Sequence, residues 1–498
     1  MLRIPQLTRP LREARRTIWT SSTFTSTCPR SLISSIPSTS SNPAAVTLYA
    51  VSKHFPQDLL PLLQSSLSSS SPTSIGCLAE PLPSPSTSST STPPFTLSLA
   101  TYRPSSSTES VIPFSTSLTG RPNVSLGREH KPRAGGRATE EELEFENRQF
   151  EKFLKGDKNW AFGDQLNSIS KGYSTGKGKE SERGVEIPEL RDIDRKDVKE
   201  IVCFTADRIQ PFLSALSQFP NSSTLGMTST STPFHSPDNL PFSLFYNDKV
   251  SSAGAVGVAI VDTASSASKS EVEIDYGNLT EFGPTTTVTS SRGNILLTLS
   301  SQNAAQLLLS SVQALPSSSS FLGSTTDSSS PFEASLSNPN EMTTKHISKD
   351  KEFYAALFSP DGDTNDLGQA KLVCRIMAGD PKRGAVSFET EEEVEIGDTA
   401  IFLHRPTSSS SDSSPTKSKS SETPPVFSFT TIEPSYVSPI HSSSALSPPS
   451  SADVEQQDGF RAFTENGIIV SRQASGGDGR EVRLAGIEGT RVSLIEEK

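Results

Sequence analysis

The same succession of elements is written twice in this chain, and that duplication narrows the possible folds more than any single motif does. In the first copy Ala45–Ser52 (AVTLYAVS) reads as a strand. Leu59, Leu60, Leu63 and Leu67 then recur at helical spacing behind Pro56, with Pro61 tolerable only in a first turn. Ser74–Ala79 (SIGCLA) and Pro94–Tyr102 (PFTLSLATY) follow as two more strands. In the second copy Lys199–Thr205 (KEIVCFT) is a strand, and Ile209, Phe212, Leu213 and Leu216 mark a helix. Thr224–Thr228, Pro241–Asn247 and Gly254–Asp262 complete it, and Gly76 and Gly226 fall at matching places. Each helix has to return the chain to a sheet. The expected class is therefore α+β in α/β layers: duplicated strand-helix-strand-strand units, mixed or antiparallel sheets, and long disordered inserts.

Inserts are expected because hydrophobic residues make up only 33% of 498 residues, too few to bury the Ser/Thr/Pro-rich stretches as well. We expect a transit peptide and disordered leader over 1–42 and an N-terminal region over 43–265, with a charged insertion near 104–198. Inside that insertion, residues 139–155 read as a helix behind a Thr139/Glu142 capping box. A C-terminal region is expected over 266–498, with Ser-rich inserts near 316–348 and 407–452. Its strands are Glu271–Asp275, Thr285–Thr289, Asn294–Leu299, Ala355–Ser359, Ala370–Ala378, Gly384–Glu389 and Ala400–His404, with a helix over Asn303–Leu315. Val426–Ile432 alternates and can pair, and Gly467–Arg472 and Arg491–Ile495 finish the region as edge strands of the same sheet.

The leader is basic. Arg3, Arg9, Arg12, Arg15, Arg16 and Arg30 face one acid, Glu13, and Leu7, Leu11, Ala14 and Ile18 recur at helical spacing. A cationic amphipathic helix of this kind is the pattern of a mitochondrial, matrix-directed transit peptide. Elsewhere the net charge of −11 disfavours broad phosphate-backbone binding, so no nucleic-acid partner is expected. The longest apolar stretch, near Ala253–Val261, is too short for a transmembrane segment.

No motif assigns a reaction. The GYSTGK stretch has one residue too few for a phosphate-binding loop, and Gly178 stands where Ser or Thr should hold magnesium. Asp361, Asp363 and Asn365 resemble a calcium loop, but Asp366 replaces the required Gly and Leu372 the bidentate Glu. Scattered histidines and the unpaired Cys28, Cys77, Cys203 and Cys374 leave no zinc site, and no cofactor is expected. Cys77 with His54 as a base is a hydrolase alternative, set against a buried structural cysteine. His235, Asn247 and Asp248 lie in a loop and strand end beside Gly226, where an imidazole and a carboxamide suit an amino-acid ligand or, alternatively, satisfy their own turn. Arg383 can clamp a carboxylate or cap a hairpin tip, and Arg405 can anchor the contact between regions. The candidate ligand-binding set is Gly76, Cys77, Gly226, His235, Asn247, Asp248 and Arg383.

Three segments resemble the FIST domain family: TLGMTSTSTPFHSPDNLPFSLFYNDKVSSAGAVGVAIV (224–261), EFGPTTTVTSSRGNILLTL (281–299) and KLVCRIMAGDPKRGAVSFETEEEVEIGDTAIFLHRP (371–406). The first is similar to the close of the N-terminal FIST region. The second and third are similar to the entry and the terminal Gly-Asp…Arg-Pro signature of the C-terminal region. Without the leader and Ser-rich inserts the resemblance covers somewhat over half the chain. It implies a small-ligand sensor for amino acids or related metabolites, acting by binding rather than catalysis. No F-box is expected ahead of it, so the protein partner is unknown, and a protein-interaction scaffold is the alternative.

Overall fold

A computed structural model describes residues 19–37, 45–82, 93–104, 107–116, 187–206, 209–231, 242–263, 270–315, 352–360, 362–380, 384–390, 392–406, 425–433, 454–473 and 480–496. The helix expected over 139–155, the GYSTGK stretch and most of the expected inserts lie outside these residues.

Both copies of the duplicated unit form. In chain order the first half contributes β1 (Trp19–Ser26), α1 (Pro29–Ser34), β2 (Val46–Ser52), α2 (Leu60–Ser70), β3 (Thr73–Ala79), β4 (Phe95–Tyr102) and β5 (Glu109–Thr116). Then come β6 (Val198–Thr205), α3 (Ile209–Leu216), β7 (Ser223–Thr228), β8 (Leu244–Tyr246), β9 (Lys249–Ser251) and β10 (Ala255–Asp262). Strands β2 and β3 pair in parallel around α2, and β6 and β7 pair in parallel around α3. Each parallel pair is flanked by an antiparallel strand, β4 beside β2 and β10 beside β6. The registers match as well: Tyr49 lies opposite Gly76, and Cys203 opposite Gly226.

That match has a steric cause. A Cβ on Gly76 would lie 2.6 Å from the Tyr49 ring, and one on Gly226 would lie 2.5 Å from Cys203 Sγ and 2.6 Å from its carbonyl oxygen. In both copies the central glycine lets the neighbouring side chain lie flat across the sheet.

The second half supplies β11 (Ser270–Asp275), β12 (Thr280–Arg292), β13 (Ile295–Leu299), β14 (Gln302–Asn303), α4 (Ala304–Gln313), β15 (Phe353–Phe358), β16 (Leu372–Asp380), β17 (Ala385–Phe388) and β18 (Thr399–His404). It ends with β19 (Phe427–Thr431), β20 (Glu455–Asp458), β21 (Phe460–Thr464), β22 (Ile468–Gln473), β23 (Arg480–Ala485) and β24 (Arg491–Glu496). Strands β12, β18, β15, β16, β17 and β13 pair in that order, and β12–β13 pairing closes the ring into an antiparallel barrel. Its interior holds Phe282, Leu296, Val386, Phe388 and Phe402, together with Ala304, Leu308 and Val312 from α4. The Asn303 side chain caps that helix, accepting from the Gln306 N–H at 2.9 Å.

The two duplicated units face each other across one core. Val46, Leu48, Ile75 and Cys77 from the first sheet meet Val202, Phe204, Leu225 and Met227 from the second. Outside the first sheet, Leu60, Leu63 and Leu67 of α2 cover Tyr49, Val51 and Leu78. Outside the second, Phe212 of α3 packs on Phe114 of β5, with ring centroids 6.2 Å apart. The result is an α/β/β/α arrangement. Among the described residues no helix is long and apolar enough to cross a membrane.

Three expectations are corrected. The leader expected over 1–42 is folded from Trp19: β1 lies inside the first sheet, between β4 and β20, and Trp19 is buried. Its indole Nε1 donates to Glu200 Oε1 on β6 at 2.8 Å, which ties the first strand to the second sheet. Part of the expected insertion is strand β5, an outer strand of the second sheet, where the missing N–H of Pro113 breaks no ladder. The last strands are not edge strands of the C-terminal sheet. Instead β22 pairs with β7, and β24 lies in the interior of a four-stranded sheet, β11-β24-β19-β21. Their apolar runs complete the N-terminal core, to which Phe427, Phe429, Phe460 and Leu494 belong.

Two measurements follow from this packing. Trp19→Ala lowers the urea-derived stability by about 3 kcal/mol or more, because it empties a buried site and removes the donor to Glu200 Oε1, whereas Thr20→Ala, at an exposed position of the same strand, changes it by about 0.5 kcal/mol or less. Gly76→Ala and Gly226→Ala each cost about 1–3 kcal/mol. In double-mutant cycles Tyr49→Leu recovers part of the Gly76→Ala loss, while Cys203→Ala leaves the Gly226→Ala loss in place, since the Cys203 carbonyl still blocks the new Cβ. Equal recovery at the two sites would contradict the steric account.

Candidate functional site

The residues singled out from the sequence are dispersed. Gly76 lies beneath the Tyr49 ring, which stacks on Phe245 at 5.7 Å. Cys77 points the other way, into the core between the sheets, is 0% exposed, and burial holds its thiol well above the usual range. His54 lies on the opposite face of that sheet, stacked on Phe95 at 4.7 Å with Nε2 3.1 Å from the Pro93 carbonyl. The Cys77–His54 pair of the hydrolase alternative is therefore not assembled.

Asn247 satisfies a turn. It adopts φ 52 between β8 and β9, donates its N–H to the Ser74 carbonyl at 2.7 Å and accepts the Ser74 N–H on Oδ1 at 2.9 Å. Asp248 is exposed beside it, and Gly226 packs on Cys203 in the other sheet. His235 and Arg383 lie outside the described residues. Arg405 does bridge the barrel to the sandwich: Nη2 donates to the Glu488 carbonyl, and Nη1 lies 3.1 Å from Glu488 Oε2.

Two buried polar clusters stand where sequence reading placed none. The first joins the C-terminal ends of β2, β3 and β7, the position at which open α/β sheets commonly present polar groups. Lys53 Nζ lies 2.5 Å from Glu80 Oε1 and 3.8 Å from Glu465 Oε2. Thr230 Oγ1 donates to Glu80 Oε1 at 3.1 Å, and the Ser231 N–H donates to Glu465 Oε1 at 3.1 Å. Two carboxyls therefore face one ammonium. Burial first, then contact with the Glu80 carboxyl, raises Glu465 from its ordinary 4.5 to about 7, against the pull of the Ser231 N–H and Lys53. Burial lowers the neighbouring His54 from 6.5 to about 4. The cluster fastens the turn after β21 to both duplicated units and holds an exchangeable proton.

The second cluster lines a small pocket at the seam between barrel and sandwich. Strands β22 and β23 pair with Val470 opposite Arg483 and Arg472 opposite Glu481, so Ile468, Val470, Arg472, Arg483 and Ala485 share one face. That face begins in the apolar core and ends in two guanidinium groups. Tyr276, just beyond β11, and Ala370–Val373, at the start of β16, complete the lining. Arg483 Nη2 pairs with Glu481, but its buried Nη1 has no hydrogen-bond partner and stands 3.7 Å from Glu392 Oε2. Arg472 donates Nη1 to the Ala370 carbonyl and, among the described residues, has no carboxylate within ion-pair distance. Burial, and then repulsion from Arg483, lowers its guanidinium from the usual value. Burial raises Tyr276 to about 12 despite both arginines, so it is a neutral phenol at physiological pH. Lys371 is engaged by Glu395 at 2.5 Å and Asp398 at 3.2 Å.

The one signal in the sequence was arginine at inward-facing positions of alternating strands, IIVSRQ and REVRLA, once their register is known. Among the described residues no group of His, Cys, Asp and Glu is arranged to hold a metal. No family model matches the chain, and no curated protein matches it.

The raised Glu465 carboxyl makes a pH prediction. The unfolded chain releases this proton near 4.5 and the folded chain near 7, so its stabilising contribution is complete below about 4.5 and lost as pH rises through 7. His54 acts with the opposite sign between about 4 and 6.5, so the difference between wild type and Glu465→Gln isolates the acid. That difference shifts in favour of the variant by about 1 kcal/mol between pH 5 and 7.5, less than the full linkage value because the carboxyl keeps some contact with water. Parallel pH profiles for the two proteins would remove the proton from this cluster.

Proposed function

We propose that this chain is a FIST-type small-ligand-binding protein of the mitochondrion that recognises an amino acid or related metabolite by binding rather than by catalysis. The observation that carries the proposal is Arg472, a half-buried guanidinium without a carboxylate partner among the described residues, beside a pocket that it shares with Arg483 and Tyr276. A pocket at the seam of two separately built bodies is a common place for a ligand. The motifs behind the FIST resemblance support the family reading by their position: they fall on β7, the β8–β9 hairpin, β10, and the barrel strands β12, β13 and β16–β18. Of the arginines that suggest a mitochondrial address, Arg3, Arg9, Arg12, Arg15 and Arg16 precede Trp19, and Arg30 lies in α1, so an address read from the first five need not interrupt β1. The sealed core position of Cys77 favours binding over covalent chemistry.

The test is a thermal-shift screen of the full chain against amino acids and mitochondrial metabolites. A ligand bound only by the native state raises Tm by about 2 °C or more at saturating excess. The rise is lost in Arg483→Gln. A screen in which no compound shifts Tm would support the scaffold alternative instead.

A further inference from the structure

We infer that the ligand of the seam pocket is a short-chain carboxylate, held by its head between Arg472 and Arg483. The inference rests on the binding reading above and names the ligand class for that site. Three observations carry it. Arg483 Nη1, buried and without a hydrogen-bond partner though 3.7 Å from Glu392, and the Arg472 guanidinium, without a carboxylate in ion-pair distance among the described residues, line one cavity, and a guanidinium fork matches a carboxylate in shape and charge. Burial and the neighbouring Arg483 disfavour the Arg472 charge, and the Asp366 and Glu481 carboxylates, beyond ion-pair distance, offset this only in part, so an anion at the cavity would stabilise it.

The remaining lining selects against other anions. Ile274, Leu372, Val373, Val470 and Leu484 offer an apolar wall to whatever the head group carries. The space is small, about 20 Å³, little more than one water-sized group, so only a compact head group can enter it. The acids nearby are committed: Glu481 pairs with Arg483 Nη2, and Glu392, raised from its usual range by burial, pairs with Arg483 Nη1 at 3.7 Å. The described lining contains no carboxylate for an ammonium group, so an amino acid loses the advantage of its second charge here. A phosphate would add a charge and oxygens for which the apolar wall has no donors.

Matched probes read this out. Wild-type full-length protein is heated with acetate, propionate, acetamide, propionamide, alanine or inorganic phosphate, each at about 20 mM and constant ionic strength, at pH 7.5. Acetate and propionate are expected to raise Tm by about 2 °C, with little change from the amides or phosphate. Arg472→Gln should abolish the rise, and Arg472→Lys, which keeps the charge but not the fork, should reduce it at least several-fold in apparent affinity. Should Arg472→Gln fail to fold, the wild-type comparison of acid with amide decides alone. Amides as effective as acids, or a full propionate shift in Arg472→Gln, would overturn the carboxylate assignment. So would a larger shift with alanine or phosphate than with propionate. If other metabolites shift Tm while no carboxylate does, this inference fails and the binding reading survives. If nothing shifts Tm, both fail.

Discussion

The burial of three phenylalanines from the last strands against the first strands is the contact on which the architecture depends. Phe427 meets Trp19 at 4.9 Å, and Phe460 and Phe429 lie 6.3 Å and 6.4 Å from Phe204. Each buried phenylalanine contributes about 1.5–3 kcal/mol relative to exposure. Without them the inner faces of the two duplicated units, lined by Ile75, Val202, Leu225 and Val258, would stand partly open to water. The same last segment adds β20 outside β1 and β22 beside β7. The sandwich therefore closes only when residues near 20, 200 and 460 meet, a non-local requirement that makes slow, cooperative folding the physical expectation.

That dependence explains what could be read from the sequence and what could not. Strands such as VTLYAVS, EIVCFT and GAVGVAIVD are buried on both faces, and their unbroken apolar character is visible without any partner. The helices α2 and α3 announce themselves by leucine and phenylalanine spacing. By contrast β1, WTSSTFTS, is mostly hydroxyl residues. It is strand because Thr23 Oγ1 donates to the Gly459 carbonyl at 2.7 Å and lies 3.0 Å from Ser98 Oγ, partners that are hundreds of residues away or in another strand. Strand β5 carries Pro113, acceptable because among the described residues no strand adjoins its outer side. Local pattern cannot carry information that resides in the partner.

The polar residues divide on the same principle. Asn247 and Asp248, conspicuous in sequence, serve a hairpin turn. The buried charges come from positions that look like ordinary strand or strand-end residues: Glu80, Glu200, Glu465, Arg472 and Arg483. Burying a charge is tolerable only with compensation, and most of these have it. Glu200 accepts from the Trp19 indole and from Ser270 Oγ at 2.9 Å. Glu80 has Lys53 and Thr230, and Glu465 takes up a proton instead. Arg472 departs from this pattern, with a backbone carbonyl as its acceptor and a second arginine as its neighbour.

Its position gives that exception a mechanical meaning. The pocket wall formed by Ala370–Val373 belongs to the start of a barrel strand, whereas Arg472 and Arg483 belong to the sandwich. On the described residues the seam is also held by Arg405 with Glu488, and by Tyr354, Ile401 and Leu403 packing with Tyr276 and Ile487. The anion inferred above would offset the Arg472–Arg483 repulsion on the sandwich side while it filled space against the barrel wall. Its binding would then be coupled to the docking of barrel on sandwich, and the coupling is reciprocal: the factor by which docking raises the anion's affinity is the factor by which the anion favours docking. That interface is also the one reached by β22, whose preceding turn is fastened by the proton-holding Glu80–Glu465–Lys53 cluster.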